Sequence, residues 1–124
     1  MKLRVVLTLL LCLSFLGSPR GQTSPTTSAS FQKFWLQFQS AVLKEDRETI
    51  ANLTSFPFYL DEQVDRAQFL KKFNVLFTPK VKACFANAQP VKDDIFNTVF
   101  CSPDLFRFGQ KDGGWKLIEV ANND

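Results

Sequence analysis

The side chains that carry most enzymatic chemistry are sparse in this chain. Its 124 residues include no His, one Tyr, three Cys and 12 Asp and Glu. Without His there is no Ser-His-Asp or Cys-His nucleophile, no imidazole acid or base and no His-ligated metal. The remaining acid–base candidates are Tyr59 and Asp61, just after a Phe-rich segment. At a pocket mouth Asp61 would act as general base and Tyr59 as hydrogen-bond donor. The simpler reading, preferred here, is a half-buried Tyr near a loop carboxylate. Asp93-Asp94 offers too few oxygens for a hard cation and reads as a solvated loop. Asp46 reads as a helix cap, and Asp104 and Asp112 as turn residues. Trp35 and Trp115 are of a type that stacks ligands, but they read first as packing between an early helix and the last strand. No catalytic residue, cofactor or metal ligand is assigned, and the expectation leans against an enzyme.

Cys84 and Cys101 both sit in apolar surroundings, KACFA and TVFCS. They form either one disulfide, a pair of free buried thiols or an intermolecular bridge; spacing alone does not bring their Cβ atoms within reach. No CxxC accompanies them. Asn52-Leu53-Thr54 matches an N-glycosylation acceptor, relevant only to a eukaryotic secretory pathway, and its helical setting argues against its use.

The N-terminus changes the electrostatic reading. Lys2 and Arg4 precede an apolar stretch from Val5 to Leu16, followed by Gly17, Ser18, Pro19 and Gly21. That layout is a secretory signal peptide, too short for a comfortable bilayer crossing. We expect residues 1–21 to be the signal, 22–29 a flexible Thr/Ser-rich lead-in and 30–124 a single domain. Residues 1–21 contain Lys2, Arg4 and Arg20 and no acidic residue, so their removal lowers the 15 basic residues to 12 and cancels the formal charge of +3. The mature chain is neutral, and its one local basic cluster, Lys71-Lys72 with Lys80 and Lys82 nearby, reads as helix surface, which gives no reason to expect nucleic acid. Export, periplasmic or extracellular, is expected, with no stable membrane insertion after cleavage.

The elements that would position any site read as helices first and strands last. Phe31, Phe34, Trp35, Phe38, Ala41 and Val42 recur at helical spacing. Asp46 then caps a second stretch, Arg47 to Leu53, although one long bent helix fits nearly as well. Ser55 to Leu60 reads as a short extended piece with Phe56, Phe58 and Leu60 facing the core. Asp65 and Gln68 have capping-box spacing, with Val64 and Phe69 as a hydrophobic staple. The apolar face runs on through Phe73, Leu76 and Phe77. Thr78-Pro79 reads as a cap with Pro at the first helical position, and a short helix is favoured there over a strand. From Asp94 the period becomes two, with Phe96, Thr98 and Phe100 on one side and Ile95, Asn97, Val99 and Cys101 on the other. Leu105–Gln110 and Trp115–Ala121 follow, joined by a hairpin with Asp-Gly at its centre. The last three segments make an antiparallel meander that the helices must cover.

The string FxxFWxxFxxAVxxxD from Phe31, the run IANLTSFPF, the run VDRAQFLKKFNVLFTP and the ending FRFGQKDGGWKLIEV together resemble small exported members of the nuclear-transport-factor-2-like (SnoaL-like, cystatin-like) superfamily. The resemblance spans roughly residues 30–121. It implies an α+β fold in which N-terminal helices pack on a curved antiparallel β-sheet, a cone-shaped, barrel-like fold with a pocket. Superfamily members include isomerases, dehydratases and many binding or assembly domains, so the fold leaves function open. The expected function is non-catalytic binding of an apolar small molecule, a peptide or a protein. The alternatives are a pocket enzyme of isomerase or dehydratase type and a structural module that forms a homodimer.

Overall fold

The computed structural model describes residues 29–122. The signal segment expected over 1–21 and all but the end of the lead-in lie outside them. The first helix already includes Ala29. No helix of the described residues is long and apolar enough to cross a membrane.

The chain forms a small α+β domain. Helices α1 (Ala29–Leu43) and α2 (Arg47–Asn52) lead into strands β1 (Thr54–Leu60) and β2 (Glu62–Val64). Helices α3 (Arg66–Lys71), α4 (Phe73–Leu76) and α5 (Pro79–Asn87) follow, then strands β3 (Val91–Lys92), β4 (Asn97–Cys101), β5 (Asp104–Lys111) and β6 (Gly114–Asn122).

Local chemistry explains most boundaries. Asp46 accepts the backbone N–H of Thr49 and starts α2. Gln68 N–H donates to Asp65 Oδ1 at 2.8 Å while Asp65 N–H donates to Gln68 Oε1 at 2.9 Å, which closes the expected capping box. Val64 and Phe69, the staple pair, are both buried. Asp65→Ala removes an acceptor that α3 cannot replace. A loss of about 1 kcal/mol is expected in chemical denaturation, and an unchanged midpoint would deny the cap any energetic role. Thr78 Oγ1 accepts from Val81 N–H at 3.2 Å with Pro79 at the first position, so α5 is the helix favoured over a strand. The single stretch expected from Asp65 to Phe77 is two helices, because Lys72 ends α3 and starts α4. Asp112 and Gly113 adopt φ of 54° and 81°, the left-handed pair that a two-residue hairpin turn requires.

The sheet order is β2-β1-β6-β5-β4-β3. The meander β4-β5-β6 is antiparallel as expected, but β1 lies parallel to β6, with Thr54 opposite Leu117. The cone-shaped, barrel-like fold with an all-antiparallel curved sheet is therefore overturned. The sheet is mixed and open, and its two end strands, β2 and β3, do not meet. The physical reason is the connection. Three helices lie between β1 and the later strands, a crossover long enough for parallel pairing.

One sheet face carries the helices, and aromatic rings fill the space between. Phe108 on β5 stands within 5.0–6.1 Å, centroid to centroid, of Phe31, Phe34, Trp35 and Phe38 on α1. Phe85 on α5 meets Phe106 edge-on at 5.0 Å and Trp35 at 5.5 Å. Phe69 touches Phe56 and Phe58 of β1 at 5.5 and 5.3 Å. Tilted and edge-to-face rings at these spacings are favourable beyond the area they bury. The other face carries Arg107 paired with Glu119, and the guanidinium lies 5.3 Å from the Phe96 ring centroid.

Candidate functional site

The Phe-filled centre leaves concave surface at opposite ends of the helix–sheet layer. One cleft, of about 580 Å³, lies where the β1–β2 turn and the β4–β5 turn approach α4. Leu60, Val75, Leu76 and Val120 supply its apolar part and Asp61, Glu62, Lys72 and Asp104 its polar part. Lys72 Nζ is 3.7 Å from Glu62 Oε1, an exposed ion pair.

Asp61 forms the tight turn between β1 and β2, with φ of 56°. Tyr59 belongs to β1, pairs in register with Glu119 and is 54% exposed. Strand alternation sends Tyr59 to the face opposite buried Phe58. Of the two, only Asp61 lines the cleft, and no hydrogen bond joins them among those described. Asp46 is at the start of α2, where the hydroxyl and then the backbone N–H of Thr49 donate to its carboxylate and hold it below the usual carboxylate range. That is capping electrostatics. Trp35 is buried core; Trp115 packs edge-on to Phe31 at 4.9 Å and donates from Nε1 to Ser30 Oγ at 3.2 Å.

Cys84 on α5 and Cys101 at the end of β4 are joined by a disulfide, with Cα atoms 5.8 Å apart. Of the alternatives left open by spacing, the intramolecular bridge is the one that forms. It ties the last helix to the sheet.

The second cleft, of about 480 Å³, lies at the other end, and it contains the residue that sequence reasoning missed. Strand β4 begins at Asn97, opposite Phe108, while β5 and β6 continue past it to their hairpin. Before Asn97 the chain turns away: Phe96 N–H donates to Asp93 Oδ1 at 3.0 Å and Asp93 N–H to Phe96 O at 3.0 Å. The gap between this turn and the hairpin is lined by Lys92, Asp94, Ile95, Phe96, Gln110 and Trp115, with Asn97 among them. Asn97 is 1% exposed, and its Oδ1 is buried without a hydrogen-bond partner. A buried acceptor left unmet costs about 1–3 kcal/mol, so it calls for an explanation. The signal was in the alternation: Asn97 is the lone polar residue on the face shared with Ile95, Val99 and Cys101.

Among the described residues no group of three or more Cys, Asp and Glu side chains could hold a metal ion. No protein-family model matches the chain, and no solved structure matches it. The bifunctional glyoxylate cycle protein of Caenorhabditis elegans is 31% identical over 109 residues, an alignment covering 83% of this chain and 11% of that protein. The chain thus spans about a tenth of the length of the curated relative it matches.

Proposed function

We propose that this chain is an exported, non-catalytic binding domain of nuclear-transport-factor-2-like type. Its Asn97 cleft holds a small flat molecule, largely apolar, with an N–H or O–H donor. The observation that carries this reading is the buried, unpartnered Oδ1 of Asn97, a residue that lines a concave site beside aromatic rings. A small side-chain shift that opens Asn97 Oδ1 to the cleft lets a ligand donor meet the acceptor, and the ligand's flat body lies along Trp115 and Phe96. A few placed polar groups in a mostly apolar concavity are the usual makings of a small-molecule site. Superfamily membership is supported by the order of elements and by the strings around α1 and the final hairpin. Export is supported by the signal-like N-terminus and by a disulfide of the kind oxidising compartments preserve. The glyoxylate chemistry in the relative's name is not carried over, since the matched stretch is 11% of that protein and this chain has no His.

Indole and 1-methylindole, which differ in one N–H donor, provide the test. In ¹⁵N NMR titrations, indole is expected to shift the Asn97 side-chain amide and the Trp115 indole resonance. It should bind about fivefold more tightly than 1-methylindole, the worth of about 1 kcal/mol for one net hydrogen bond. Asn97→Leu should abolish the preference while leaving the melting temperature equal or higher, because an apolar side chain removes the unmet acceptor. Equal affinity for the two probes, or shifts away from this cleft, would defeat the assignment. A large loss of stability in Asn97→Leu would make Asn97 a structural residue instead.

A second reading rests on the face of the sheet away from the helices, where Tyr59 is 54% and Phe100 56% exposed. In that reading the face pairs with a second copy of the chain. Light scattering behind size-exclusion chromatography should then give twice the chain mass, and Phe100→Lys should return it to one.

A further inference from the structure

We propose that Asn52 accepts an N-linked glycan. The inference rests on the export part of the proposed function, and goes beyond it by assigning a covalent modification site. Asn52-Leu53-Thr54 has the residue types an oligosaccharide acceptor requires. The helical setting that argued against its use holds for Asn52 itself but ends there. Asn52 is the last residue of α2, Leu53 is the cap, and Thr54 is already the first residue of β1. The acceptor therefore sits where the chain turns from helix to strand.

The three positions divide the requirement cleanly. Asn52 is exposed, and among the described hydrogen bonds none holds its side chain. Its backbone carbonyl accepts from Lys116 Nζ at 2.8 Å. Leu53 is half-buried, and its carbonyl accepts from Leu117 N–H at 2.8 Å. Thr54 is 5% exposed, and its Oγ1 donates to the Ile50 carbonyl at 2.7 Å. In the folded domain the hydroxyl is thus occupied and shut away, while the Asn amide faces solvent. Transfer must precede closure of the α2–β1 junction, as the chain enters the compartment and before β1 pairs with β6. Afterwards a glycan on Nδ2 projects into solvent, and no core contact is displaced. The Cys84–Cys101 bridge belongs to the same oxidising setting.

The co-reactant is a lipid-linked oligosaccharide. Asn52 Nδ2 forms a bond to the anomeric carbon of its first sugar and gives up one proton. The bond from that carbon to the carrier's pyrophosphate oxygen breaks, and the lipid pyrophosphate leaves with the bonding pair. No oxidation or reduction occurs.

The test is expression of the full chain in a eukaryotic secretory cell line, followed by digestion with peptide-N-glycosidase. The secreted protein should show a single step to higher mobility on digestion, leaving an aspartate at position 52 by peptide mass spectrometry. Asn52→Gln should migrate at the digested position without treatment. Thr54→Ser, which keeps both the acceptor pattern and a hydroxyl, should retain the step. Secreted wild-type protein with no mobility step overturns the proposal. Where the native N-terminus fails to direct secretion, residues 1–21 are replaced by an established signal peptide. A mobility step then upholds the Asn52 site while overturning export by the chain's own leader, and its absence from the secreted product overturns the site.

Discussion

Phe108→Ala is expected to cost about 3–5 kcal/mol, the usual range for truncating a buried Phe whose surroundings cannot collapse. Phe108 is fully buried at the centre of β5, and its ring touches four aromatic side chains of α1. Those four rings are spaced along a helix. No single backbone shift closes the space left behind, and each loses an edge or face contact. A domain of about 100 residues has only about 5–15 kcal/mol of total stability. The change should lower the melting temperature by about 12–40 °C, at about 4–8 °C per kcal/mol. Phe100→Ala, on the opposite face and 56% exposed, is the control, with an effect expected within about 0.5 kcal/mol. Thermal unfolding followed by circular dichroism distinguishes them. A Phe108→Ala cost below about 1 kcal/mol would mean that the α1–β5 contact does not organise this core.

Loss of the Cys84–Cys101 bridge is the second large effect. The two residues are 17 positions apart, and closing a loop of that size restricts the unfolded chain by about 3 kcal/mol. The double variant Cys84→Ala, Cys101→Ala should therefore melt about 12–24 °C lower, and reductant should lower the wild type by a similar amount without affecting the variant. The fold should survive, because Phe85 remains packed against Phe106 and Trp35, and Gln39 Nε2 still donates to the Phe85 carbonyl at 2.8 Å. Equal stability of variant and wild type in urea would show that these other contacts alone hold α5 to the sheet.

Particular residues show how much was legible in the sequence. Asp65 with Gln68, Thr78 with Pro79 and Asp112 with Gly113 each act over four residues or fewer, so their chemistry is complete within the string. The alternation of Asn97, Val99 and Cys101 against Phe100 assigned the faces of β4 correctly. Short strands gave weaker signals. Two-residue β3 and three-residue β2 are too brief for a period and arise because edge positions beside β4 and β1 were available. Tyr59 and Asp61 are neighbours in sequence, but strand alternation and a sharp turn give them different surroundings. Asn97 was placed on the right face without its consequence being visible. Its isolation depends on the 93–96 turn leaving the sheet and the hairpin running past it.

The sequence by itself determined where the longer helices and strands lie, which side of each is apolar, and that no imidazole chemistry is available. These are properties of local periodicity, capping and composition. Only the tertiary structure decided that β1 joins β6 in parallel, that the sheet stays open, that Cys84 meets Cys101 and that the Asn97 acceptor is left without a donor. The physical reason is that an apolar stripe specifies burial without specifying its partner. The partner follows from fitting large Phe rings between two layers, and the clefts are what that fit leaves at its ends.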